Sequence, residues 1–84
     1  SKAQPDPDHT HQLLKIALNG IREQEKANRA GKESYQPALH EALVTLVRDW
    51  INNNPELVNR PFEDGTTPLM RAADSGNKAI VDLL

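Results

Sequence analysis

Thr67-Pro68-Leu69-Met70-Arg71-Ala72-Ala73-Asp74-Ser75-Gly76, followed by Ile80-Val81-Asp82-Leu83-Leu84, decides the reading of this chain. Thr67 can cap a helix whose first position, Pro68, lacks an N–H that would be unsatisfied there anyway. Leu69, Ala72 and Ala73 fall on one face of that helix, and two of them are small enough for a second helix to lie close. Gly76 stops it. Ile80, Val81, Leu83 and Leu84 supply the apolar side of the next helix, and Asp64-Gly65-Thr66 in front reads as a turn. A turn, a short helix, a tight loop and a second helix cannot bury their apolar face alone. The unit implies neighbours, and binding rather than chemistry.

Toward the N-terminus, the residues from Asn54 to Gly65 form a connector. Before it lies the cleanest periodicity in the chain: Leu39, Ala42, Leu43, Leu46, Val47, Trp50 and Ile51 follow the i, i+3, i+4, i+7 rule. Pro37 is tolerated in the first turn of this helix. Asn54-Pro55 ends it, because the residue before a proline is pushed out of the helical region. An earlier helix opens at Asp6-Pro7, or at Thr10 one turn later, and carries Leu13, Leu14, Ala17, Leu18 and Ile21 as one stripe. Beyond Ile21 the stripe disappears. Residues 22–29 read as a solvated helix end, with Glu25 and Arg29 in the favourable i, i+4 order, stopped near Gly31. The simplest assembly is an antiparallel helical hairpin. Gly20, which costs about 1 kcal/mol relative to alanine inside a helix, marks a close crossing or is merely tolerated.

Composition narrows the function. The 84 residues contain no cysteine, which excludes disulfides and thiolate metal sites and fits a reducing compartment. A cytoplasmic setting is therefore expected, with delivery into a host cell as the alternative. Ten basic and 12 acidic residues are interspersed, so there is no basic stripe for nucleic acid or an anionic membrane. No apolar run approaches the ~20 residues of a membrane span. A core of this size supplies only ~3–5 kcal/mol without a staple or partner.

The residues from Val58 onward resemble an ankyrin repeat. Val58-Asn59 leading into Asp64-Gly65, then Thr67-Pro68-Leu69 and Ala72-Ala73 before Gly76, match that family's arrangement. The resemblance is specific over 57–84 and degenerate over 37–56, where Trp50 and Ile51 occupy the places of paired leucines in a preceding second helix. It is absent over 1–36. Met70 stands where the family usually has a histidine, and Phe62 where an aspartate is common. Phe62 either packs onto the preceding helices or stands as an exposed anchor. The resemblance implies an all-α fold: a disordered N-terminus over 1–7, a helical cap over 8–56, and the start of an α-solenoid over 57–84. That last repeat is cut short, so further repeats are expected to follow. Its structural motif comprises Gly65, Thr67, Pro68, Leu69, Ala72, Ala73, Gly76, Ile80, Val81, Leu83 and Leu84. Its partner-binding positions, on the turn tip and the exposed face of the short helix, are Glu63, Asp64, Thr66, Met70, Arg71, Asp74 and Ser75.

Chemistry is harder to find. Asp6, Asp8, His9 and His11 crowd the N-terminus, but His9 and His11 diverge on a helix, and a surface cluster capping the helix is the expectation rather than a metal site. His40 and Glu41 are read as a partly exposed pair. No paired carboxylates, activated serine or phosphate loop stands out. The expected function is a non-catalytic interaction scaffold that binds another protein, without metal or cofactor. Alternatives are a helical oligomerisation or regulatory module that self-associates through exposed apolar ends, and the targeting end of a larger enzyme or secreted effector.

Overall fold

Asp6 starts the first helix: its carboxylate accepts the Asp8 N–H at 3.1 Å, and Pro7 follows as the first helical residue. The computed structural model describes residues 6–76 and 78–83, and over these the chain is all-helical. Helix α1 spans Pro7–Arg29, α2 Pro37–Asn53, α3 Pro68–Ser75 and α4 Lys78–Leu83, with a 3-10 turn at Pro55–Asn59. The disorder expected over 1–7 does not extend to Asp6 and Pro7, which the cap recruits into α1; residues 1–5 and Leu84 lie outside the described residues.

Local signals set the helix ends. The Thr67 hydroxyl accepts the Met70 N–H at 3.2 Å, Pro68 occupies the first position, and Gly76 closes α3 in the left-handed region with φ 77°. Any residue with a Cβ would be strained there. Gly31 plays the same part after α1, at φ 65°. Helix α2 runs unbroken from Pro37 to the Asn54-Pro55 stop.

The α1–α2 hairpin is antiparallel. The Gln36 N–H donates to Gln24 Oε1 at 2.7 Å, and farther along a Leu43 methyl lies over Gly20, 3.0 Å from where a Cβ would stand. Gly20 is thus a point of close crossing. A second hairpin, α3–α4, lies alongside the first. Asn19 meets Arg71 and Arg22 meets Asp74, so α1 and α3 run parallel. Helix α1 packs on α2 and α3, and α4 packs on the same two, giving a two-by-two stack. Its core is Leu14, Ala17, Leu18, Ile21, Val47, Ile51, Leu57, Phe62, Ala72 and Ile80. Phe62 closes that core instead of standing exposed.

Three expectations need correction. The end of α1 is not solvated throughout: Gln24 and Ala27 are buried, because residues 32–36 fold back and Gln24 captures the Gln36 backbone. The α2 stripe is only partly covered. Leu43, Val47 and Ile51 face α1 and the core, whereas Leu39, Ala42 and Leu46 are exposed. In α3 only Ala72 of the expected face is fully buried. Leu69 and Ala73 are exposed, as is Val81 in α4. The reason is geometric: at about 100° per residue, Leu69 and Ala73 sit roughly opposite Arg71, the side of α3 that meets α1.

Candidate functional site

The turn before α3 is built from its own side chains. Asp64 Oδ1 accepts the Thr66 N–H at 3.0 Å and the Thr66 hydroxyl at 2.7 Å. The Phe62 N–H donates to the Thr66 carbonyl at 2.6 Å, and Gly65 takes φ 85° to close the loop. The two bonds from Thr66, aided by the nearby Arg71 charge, hold the Asp64 carboxyl well below its usual 3.8, at about 2.

Arg71 then fastens this turn to α1. Its Nε donates to Thr66 Oγ1 at 2.9 Å, Nη2 to Asp64 Oδ2 at 2.6 Å, and Nη1 to Asn19 Oδ1 at 2.6 Å. The planar fork of guanidinium donors suits three acceptors on two elements in a way an ammonium cannot reproduce. The guanidinium carbon also lies 5.4 Å from the Phe62 ring centroid. On the other contact of that ring, His11 stacks at 4.3 Å between centroids. His11 Nε2 lies 2.8 Å from the Arg60 carbonyl; since a carbonyl only accepts, that nitrogen carries the proton. Arg60 in turn pairs with Asp8.

The segment 60–63 is therefore held against the first half of α1, leaving a groove of about 610 Å³ between them. Gln12, Lys15, Ile16, Arg60, Phe62 and Glu63 are among its lining residues. Lys15 Nζ stands 6.0 Å from the Phe62 centroid. Ile16 is 66% exposed. The groove thus offers an apolar floor and edge with charges of both signs around it.

The residues expected to bind a partner do not share one surface. Glu63 lines the groove, while Met70, at 53% exposure, and Asp74 stand in solvent, with Asp74 3.1 Å from Arg22. Asp64, Thr66 and Arg71 are engaged in the clamp, and Arg71 is only 19% exposed. Ser75 is not on the surface at all: it is fully buried and its hydroxyl donates to the Ala72 carbonyl at 2.6 Å. The reason is its phase on α3, which it shares with Pro68 and Ala72. Near the N-terminus, His11 is likewise buried, not part of a surface cluster. Its spacing from Leu14 and Leu18 was the available signal. Lys15 and Arg60 carried none.

A second polar group forms at the far end of the hairpin. His40 reaches across to α1: its Nε2 donates to Glu25 Oε2 at 3.0 Å, and the Tyr35 hydroxyl lies 3.1 Å from Nδ1. This relay satisfies three side chains at once and holds the 30–36 loop to both helices. Among the described residues, no group of three or more His, Asp or Glu side chains has the geometry to hold a metal.

Compared with protein-family models, with curated proteins and with solved structures, the chain matches none of them.

Proposed function

We propose that this chain is a protein-interaction module, built as the opening of an ankyrin-like stack, in which the groove between α1 and residues 60–63 receives a segment of another protein. The observation that carries this reading is the Arg71 clamp, which spends a guanidinium and two turn residues on fixing one wall of the groove to α1. A pre-set groove lowers the ordering cost of binding. The parallel run of α1 beside α3, with α2 and α4 behind, supports the stacked-repeat part of the reading. Ile16 provides an apolar contact, and Lys15 and Glu63 provide charges of opposite sign that set the direction of the bound segment.

A displayed library of random peptides, panned on the intact chain, tests this. Enriched peptides are expected to weaken at least about tenfold, roughly 1.4 kcal/mol, on Glu63→Lys and on Ile16→Glu, with the thermal transition unchanged. Arg48→Ala, on the Tyr35 side of α2, should leave them unaffected. No enrichment, or peptides indifferent to both groove substitutions, overturns the proposal.

A further inference from the structure

The segment 60–63 has one edge occupied and one edge open. The Phe62 N–H donates to the Thr66 carbonyl at 2.6 Å, and the Gly65 N–H donates to the Phe62 carbonyl at 3.0 Å. Each peptide unit flanking Phe62 thus turns one polar group toward residues 65–66. A trans peptide holds its N–H and C=O on opposite sides, and no peptide bond among the described residues is cis. The Pro61 carbonyl and the Glu63 N–H therefore both point away from the turn. Among the described residues neither has a hydrogen-bond partner. Their edge is the one that borders the groove: Pro61, Phe62 and Glu63 line it, whereas Asp64, Gly65 and Thr66 do not.

An acceptor and a donor flanking one residue on one edge is what a strand presents to an incoming strand. The opposite wall has nothing equivalent. There α1 spans Pro7–Arg29 with its N–H and C=O groups bonded to each other, so it offers side chains alone. A helical occupant would likewise have its main chain bonded internally and leave both wall groups unpaired. An extended one pairs both.

Resting on the groove reading above, we propose that the segment received is an extended peptide, recognised through its main chain by strand addition along residues 61–63. One of its N–H groups donates to the Pro61 carbonyl, and one of its carbonyls accepts the Glu63 N–H. The addition stops at these two bonds, because Pro61 has no N–H and the Arg60 N–H is already on the Leu57 carbonyl at 3.2 Å. Both bonds are blind to side-chain identity. Selectivity comes from alternate side chains of the occupant, which point to opposite faces of an extended chain. Those on the α1 side meet Ile16 and Lys15, and the others stand in solvent.

Amide-to-ester replacement along a selected peptide, one whose binding is lost on Ile16→Glu, tests this on the unaltered chain. Each replacement removes one N–H and makes the adjoining carbonyl a poorer acceptor. Two neighbouring linkages should respond: the one that loses the donor to Pro61 by about tenfold, and the one that supplies the acceptor for Glu63 by less. The remaining linkages should be silent. From the protein side, Glu63→Pro deletes the N–H at the second position of the 62–65 turn, where proline is favoured. Its circular dichroism should match the parent, and it should bind about three- to tenfold more weakly than Glu63→Ala, which deletes only the charge. A peptide indifferent to every ester, losses spread over many linkages as a bound helix gives, or a folded Glu63→Pro that binds like Glu63→Ala overturns the proposal and leaves the groove standing. The absence of any peptide lost on Ile16→Glu overturns both.

Discussion

Replacing Arg71 with alanine separates a clamp from a binding residue. The side chain is 19% exposed and donates to Thr66, Asn19 and Asp64 at 2.9, 2.6 and 2.6 Å. The bonds to Thr66 and Asn19 are each worth ~1 kcal/mol net, and the contact with the Phe62 face adds ~0.5 kcal/mol. The solvent-facing pair with Asp64 is left out of the sum. The expected loss is about 2–3 kcal/mol, half or more of the ~3–5 kcal/mol available to a core of this size. At 4–8 °C per kcal/mol for a domain of this length, the melting temperature should fall about 10–20 °C. Urea titration and thermal melts followed by circular dichroism measure it. Asn19→Ala, alone and combined with Arg71→Ala, should return a coupling of about 1 kcal/mol. A loss below ~0.5 kcal/mol, within the ordinary range of surface substitutions, or additive single effects, would refute the reasoning.

Other outcomes follow from the same contacts. The Asp64 carboxyl is depressed from 3.8 to about 2, so it contributes stability that is complete above 3.8 and lost as pH falls through 2. An acid titration should therefore show the parent's advantage over Asp64→Asn level above about pH 4 and gone near pH 2, in proportion to that depression. Phe62→Ala removes a buried ring held between His11 and Arg71. Its cost of about 3–5 kcal/mol equals the whole stability, so the cooperative transition should vanish at 25 °C. Gly76→Ala forces a Cβ into φ 77° and to 3.2 Å from an Arg29 nitrogen. It should cost about 1–2 kcal/mol by urea denaturation, whereas Gly20→Ala should be near neutral, helix propensity offsetting the displaced Leu43 methyl.

What could be read from the sequence was local. The Thr67 cap, Pro68, Gly76, the unbroken α2 and its stop at Asn54-Pro55 each follow from neighbouring residues, and each stands in the structure. What could not be read depends on distant partners. Arg71 looked like an exposed binding residue because Asn19, its acceptor, lies 52 positions away. His11 looked like a surface group because the Arg60 carbonyl lies 49 positions away. The α2 stripe told which side of the helix is apolar, but not how much of it α1 would cover, so Leu39 and Leu46 were assigned to a core that stops short of them. Of the site, Glu63 was legible as a solvent-facing turn position; Met70, equally legible as solvent-facing, does not line the groove. The opposite wall, Gln12, Lys15 and Ile16, emerged only once α1 was placed beside residues 60–63.

The most direct test of the interaction reading is amide chemical-shift mapping of the isotope-labelled chain as its strongest selected peptide is added. The account predicts saturable shifts concentrated at residues 12–16 and 60–63, with the Tyr35–His40 end of the hairpin unmoved. Shifts centred on α2 or α4 with the groove silent would contradict it.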